Sequence, residues 1–234
     1  MIQTDIGDPR EHGNLIASMI TFNRAKTIVE IGVCHGTTTA SLCKAAEVTG
    51  GHVYGYDNWE VHGLMQQFGA FDTKENVEGR LKGLGFNNFT LTKVDTYSDD
   101  FRKLINYRHE TIDVAFVDGC HSYKGIRNDF EVVYPKIKPG GIVVFHDTLR
   151  IDGCRDFMID LRTTLYDGTY DIIDFPWGNA DRRVGVSILV KRSYPLINLL
   201  IDEQCDLTER FEDIYNKEKA WYNSEVERAR NNAI

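Results

Sequence analysis

Five short apolar runs rich in β-branched residues punctuate the first 150 residues of this chain, and most are followed by a stretch with helical spacing. "TIVEIGV" (27–33) reads as a buried strand, with "TTTASLCKAAEVT" (37–49) as the helix behind it. "HVYGYD" (52–57) is a second strand, and "FTLTKVD" (89–95) a third, with "SDDFRKLINYR" (98–108) as its helix. "IDVAFVD" (112–118) is a fourth, followed by a helix over 123–133 that Pro135 ends. "GGIVVFHD" (140–147) is a fifth, opened by a "KPGG" turn. Runs that are apolar on both faces and spaced by helices predict a mainly parallel sheet covered on both sides. Later, "YDIIDF" (170–175) and "VGVSILVK" (184–191) follow one another without a helix between them, which predicts an antiparallel pair at one edge. The expected fold is therefore α/β and doubly wound: a mainly parallel seven-stranded sheet with an antiparallel last strand.

Two segments interrupt the alternation. Residues 58–88 insert an aromatic, Gly-containing piece and a charged helix near 73–84 after the second strand's carboxyl end, where substrate contacts are commonly placed. Trp59, His62, Phe68 and Phe71 are candidates there for an acceptor pocket, or plain core aromatics. From Pro195 onward the chain reads as helical, with Leu200, Leu207, Ile214 and Trp221 seven apart. That stripe suits either a homo-oligomer contact or packing onto the parent domain. The expectation is a single domain over 1–234, with an N-terminal helical cap (1–26), the insertion (58–88) and a C-terminal helical extension (194–232).

Composition narrows the class. A formal net charge of −8 argues against a broad nucleic-acid surface, which needs a basic face. No run approaches the roughly 18 apolar residues of a membrane span, and the first residues lack the basic-then-apolar order of a signal peptide. The cysteines, five and scattered without a CxxC pair, form neither a disulfide framework nor a zinc site. They point to reduced thiols in a cytoplasmic protein with no membrane partner.

"EIGVCHGTTT" (30–39) combines a strand, a glycine turn and a helix start. Gly32 and Gly36 let the backbone bend and a ligand approach, and the helix beginning near Thr37 offers free N–H groups to an anion. Asp57 ends the second strand, where an acid can accept both hydroxyls of a ribose. Asp95 ends the third, within reach of an adenine amino group. Either acid could instead serve as a helix cap. The spacing is G-x-x-x-G, not the G-x-G-x-x-G of dinucleotide binding, and no residues for hydride chemistry accompany it.

Three blocks, "VEIGVCHGTTT", "YGYD" and "DVAFVDGCHSYKGIRNDFEVVYPKIKPGGIVVFHDT", resemble class I S-adenosylmethionine-dependent methyltransferases across roughly 27–148. They are most similar to bacterial small-molecule O-methyltransferases, including divalent-metal-dependent ones acting on sugars or catechol-like hydroxyls. The resemblance implies the Rossmann-like methyltransferase fold, S-adenosylmethionine as cofactor, and a hydroxyl of a sugar, phenolic or natural-product acceptor as substrate. It assigns Glu30, Gly32 and Gly36 to the methionine end of the cofactor, with Thr37 beside them, Asp57 to the ribose and Asp95 to the adenine, with Asp118 also bordering the cofactor. Cys34 departs from the pattern, standing where many relatives have a second glycine.

Methyl transfer to oxygen needs a hydroxyl held in line and relieved of its proton. Asp118 and Asp147 end strands four and five, which are adjacent if joined by one helix, so the two carboxylates can converge on a divalent cation, Mg²⁺ or Mn²⁺. His146 occupies a position where metal-dependent relatives often carry an acid, and is the third candidate ligand. His121 lies one turn beyond Asp118; its ordinary pKa near 6.5 suits a base, and the resemblance assigns it that role. The competing reading makes Asp118 a cap for helix 123–133 and His121 a turn residue. The alternatives to metal-assisted O-methylation are metal-independent O- or N-methylation, or cofactor binding without catalysis. A metal-dependent hydrolase would need a denser set of ligands. Trp177, Arg182 and Arg183, between the last strands, are further candidates for acceptor contact.

Overall fold

In the computed structural model, residues 10–60, 72–176 and 184–193 are described, together with helical positions 216, 217, 219 and 220. The chain divides into two compact units, Met1–Pro195 and Leu196–Ile234. The expectations placed on His62, Phe68, Phe71, Trp177, Arg182, Arg183 and the 200–221 stripe lie outside the described residues.

The first unit runs α1 (Arg10–Phe22), β1 (Thr27–Ile31), α2 (Thr37–Thr49), β2 (His52–Asp57), α3 (Lys74–Gly83), β3 (Phe89–Lys93), α4 (Asp99–Arg108), β4 (Ile112–Val117), α5 (Tyr123–Val133), β5 (Ile137–His146), α6 (Asp152–Arg162), β6 (Tyr170–Phe175) and β7 (Val186–Lys191). One seven-stranded sheet takes the order β3-β2-β1-β4-β5-β7-β6. Strands β1 to β5 are mutually parallel, and β7 lies antiparallel between β5 and β6. The expected mainly parallel, doubly wound sheet with its reversed last strand is what the chain forms.

Burial explains the order. All six residues of β4, the middle strand, are buried, because helices cover both of its faces. One core layer gathers Phe101, Phe130, Phe145 and Phe157 on one side of the sheet, and the other gathers Ile16, Leu42, Phe116 and Leu81. Three helices have a local reason to begin: Thr73, Ser98 and Ser122 accept hydrogen bonds from the backbone N–H three residues on, at the starts of α3, α4 and α5.

Two elements differ from the sequence expectation. The "KPGG" segment is not a turn before β5 but part of it: Ile112 pairs with Ile137 while Val114 pairs with Ile142, so a bulge absorbs the extra residues. Gly140, at φ 76, supplies the left-handed step that this bulge needs. Helix α6 was not read from the sequence, although Cys154, Phe157, Met158 and Leu161 recur at helical spacing and are all buried. Its start carries Gly153 and no side-chain cap, which hides the boundary.

Candidate active site

Parallel strands β3, β2, β1, β4 and β5 end side by side, and each end delivers one of the expected groups. At about 4.8 Å per strand, four intervals make an edge roughly 19 Å long.

The turn after β1 shows why its residues are what they are. A side chain at Gly32 (φ 88) would place Cβ 2.1 Å from the backbone oxygen of Asp118, so only glycine lets β1 lie against the end of β4. Gly36, at φ 76, is the N-cap of α2 and provides no side-chain cap, so the helix that begins at Thr37 keeps N–H groups available to a ligand. Cys34, which replaces a glycine of the resembling family, adopts φ 49, the left-handed conformation that glycine favours. Trp59 and Asp147 share this conformation at φ 47 and 57. Three of the four non-glycine residues with positive φ among the described residues thus lie along this edge, as strained backbone tends to at functional sites.

Asp57 holds the turn directly: Oδ2 accepts from the Cys34 N–H at 2.8 Å and Oδ1 from the Trp59 N–H at 2.6 Å. A carboxylate has further lone pairs, so these bonds leave capacity for hydroxyls. Trp59 closes the contact by donating Nε1–H to the Cys34 carbonyl at 3.1 Å. Glu30 is fully buried in β1; Thr39 donates to its Oε2 at 2.6 Å, while Oε1 has no partner. Burial, with Asp118 and Asp57 nearby, pushes its pKa up to about 8 despite the Thr39 bond. Asp95 is exposed at the far end of the edge, its Oδ1 accepting from the Tyr97 N–H at 3.0 Å.

At the other end, four side chains converge. Asp118 Oδ1 lies 3.1 Å from His121 Nε2 and 3.1 Å from His146 Nδ1, and Asp147 Oδ2 lies 3.6 Å from each of those nitrogens. Candidate ligand atoms of Asp118, His121 and Asp147 all fall within 4.8 Å of one another. His146 Nδ1 is buried without an aligned hydrogen-bond partner. Ser122 caps α5, accepting from the Gly125 N–H at 3.1 Å, so Asp118 is not spent on capping.

The electrostatics follow from this geometry. Burial opposes charge on Asp118, but His146 and His121 outweigh it and hold the carboxyl well below its usual range. The Asp118 hydrogen bond raises His121 above its ordinary value against the cost of burial, with Asp147 assisting. His146 pays the larger burial penalty, yet Asp118 and Asp147 push it up to about 10. The carboxylates thus favour the protonated form of both imidazoles.

His12 is a neighbour that the sequence reading did not single out. Buried at the start of α1, its ring lies 4.5 Å from that of His146, and Nε2 is 3.2 Å from Thr38 Oγ1. Nothing in its local sequence signals this contact, which only the packing of α1 creates.

Comparison with known proteins bears on the family and the fold. Residues 29–148, about half of the chain, match the model of a methyltransferase domain, and the chain belongs to that family. An uncharacterized protein, R132, of Acanthamoeba polyphaga mimivirus is 26% identical over 121 residues, 52% of this chain and 51% of its own. The chain therefore spans about half the length of that relative. Among solved structures, the O-methyltransferase TomG from Streptomyces achromogenes, involved in tomaymycin synthesis and in complex with SAM, superposes with a TM-score of 0.63 at 18% identity, covering 80% of this chain and 82% of that one. An O-methyltransferase from Bacillus cereus in complex with SAH gives 0.59 at 16% identity, covering 82% and 84%. The likeness to these two is one of fold. Among the described residues no helix is long and apolar enough to cross a membrane.

Proposed function

We propose that this methyltransferase moves the methyl group of S-adenosylmethionine to a hydroxyl oxygen of a small sugar, phenolic or natural-product acceptor, with His121 as base. The carrying observation is the position of His121 Nε2, 3.1 Å from Asp118 and 3.6 Å from Asp147, at the carboxyl edge next to the turn that would hold the cofactor. The O-methyltransferase neighbours with bound SAM and SAH support the choice of cofactor and of oxygen as acceptor.

In this reading the uncapped start of α2 binds the methionine carboxylate, Glu30 faces the cationic end of the cofactor, and Asp57 and Asp95 receive the ribose and the adenine amine. Gly32 keeps the turn after β1 against the end of β4, beside which the cofactor's sulfur end sits. His121 accepts the acceptor's proton on its imidazole as the oxygen attacks the methyl carbon and the carbon–sulfur bond breaks, releasing S-adenosylhomocysteine, and Asp118, 3.1 Å from Nε2, stabilises the resulting imidazolium. The mixed set of Asp118, Asp147 and His146, whose Nδ1 faces both carboxylates without an aligned hydrogen bond, fits a divalent cation such as Mn²⁺ or Mg²⁺. Such an ion would polarise the acceptor hydroxyl and cancel the negative charge that favours protonation of His121.

The test pairs binding with turnover. The His121→Ala variant is expected to bind S-adenosylhomocysteine in calorimetry like the wild type, and to lose roughly 10²–10⁴ in transfer of labelled methyl to a hydroxylated acceptor panel. Chelation followed by Mn²⁺ or Mg²⁺ add-back is expected to abolish and restore turnover. Wild-type protein that binds no S-adenosylhomocysteine overturns the reading; full turnover after chelation removes the cation alone.

A further inference from the structure

We infer that Arg80 and Asp72, at the end of the insertion, are positioning residues for the cofactor turn: they hold the His35–Gly36 step so that the first N–H groups of α2 face the ligand. This rests on the reading above, in which that turn receives the cofactor.

Arg80 reaches from α3 and grips Asp72 with both arms, Nη1 to Oδ1 at 2.9 Å and Nη2 to Oδ2 at 2.5 Å. The same Nη2 also donates to the backbone carbonyl of His35 at 2.9 Å. His35 Nδ1 meets Asp72 Oδ2 at 2.5 Å, closing a ring of contacts around one residue of the turn. Immediately beyond, a side chain on Gly36 would bring Cβ within 2.6 Å of Val77 on α3, so that helix lies flush against the turn. The turn is thus held from two directions: by Asp57 and Trp59 at Cys34, and by Asp72 and Arg80 at His35.

The chemistry suits positioning better than fold stability. Arg80 is about half exposed, and exposed ion pairs contribute little to folding. A two-pronged guanidinium that also bonds a carbonyl, however, fixes direction as well as distance. Gly36, the N-cap, has no side chain to accept from the first N–H groups of α2. Orientation of the helix's free donors must therefore be supplied from outside α2.

The experiment uses the full chain and S-adenosylhomocysteine as probe. Arg80→Ala is expected to weaken its binding in calorimetry about tenfold, the loss of one charge-assisted hydrogen bond, with the melting temperature nearly unchanged. Arg80→Lys, which cannot form the fork, should recover little of the affinity. Lys74→Ala breaks another ion pair of α3, Lys74–Glu78 at 2.7 Å, and should leave affinity at the wild-type value. Hydrogen exchange of the ligand-free protein should show faster exchange across 34–39 in Arg80→Ala only. Wild-type affinity in Arg80→Ala, or equal weakening in Lys74→Ala, overturns the inference. Should the wild type bind no S-adenosylhomocysteine, the cofactor reading fails, and unchanged exchange across 34–39 would refute the positioning role separately.

Discussion

Two aspartates at opposite ends of β4 receive very different company. Asp113, near the amino end, offers Oδ2 to the backbone N–H groups of Lys26 and Thr27, each at 2.7 Å, and pairs with Lys138. Asp118, just past the carboxyl end, pairs with two imidazoles among the described residues. Burial opposes the charge of Asp113, but Lys138 and the two N–H donors outweigh it and lower its pKa. Backbone donors cannot leave or lose a proton, so Asp113 joins β1 to β4 permanently. Imidazoles can do both, so Asp118 sits among partners able to exchange protons or ligands. The same side chain is a rivet at one end of the strand and, in the proposed function, a reactive group at the other.

The comparison breaks if the two acids fail in the same way. Asp118→Asn is expected to lower methyl transfer by roughly 10²–10⁴ while stability stays within about 1 kcal/mol, because the histidines can shed their protons instead of remaining as unpaired charges. Radiolabel transfer and denaturant unfolding on the same preparation check both halves. Asp113→Ala should do the reverse. Removing the acceptor of two backbone N–H groups and the partner of a lysine is expected to cost about 2–4 kcal/mol in urea unfolding, with turnover per folded molecule retained.

Glu30 lies between these extremes, one oxygen bonded by Thr39 and the other without a partner, and supplies the smallest effect. Its folded pKa of about 8 exceeds the ordinary 4.5. Between those values the folded state binds a proton that the unfolded chain has released, so stability falls as pH rises through this window and levels off above it. The Glu30→Gln variant keeps the hydrogen bond without the titration. Its melting temperature should decline less than that of the wild type from pH 5 to 8 in a thermal scan. A parallel decline in both proteins would place Glu30 with the rivets.

Much of this was legible in the chain itself, for a definite reason. Strands β2 and β6 and helices α2 and α5 fall where apolar spacing predicts, because both faces of the sheet are covered and the pattern is strong. Asp118, His121, His146 and Asp147 converge as expected because a single helix, α5, joins two parallel neighbours. What escaped the reading depends on contacts between distant segments. His12 reaches His146 across the packing of α1, and Arg80 reaches His35 across 45 residues. The bulge in β5 escaped as well, since Pro139, Gly140 and Gly141 signal a turn and only pairing with β4 shows that the strand continues through it.

Gly32 pressed against the main chain of Asp118 has a practical corollary for anyone reshaping this catalyst. No amino acid larger than glycine fits there without levering two strand tips apart, so any change in the turn after β1 is felt at Asp118. Libraries aimed at new acceptors should leave residues 30–37 untouched and diversify the rim beyond Asp147.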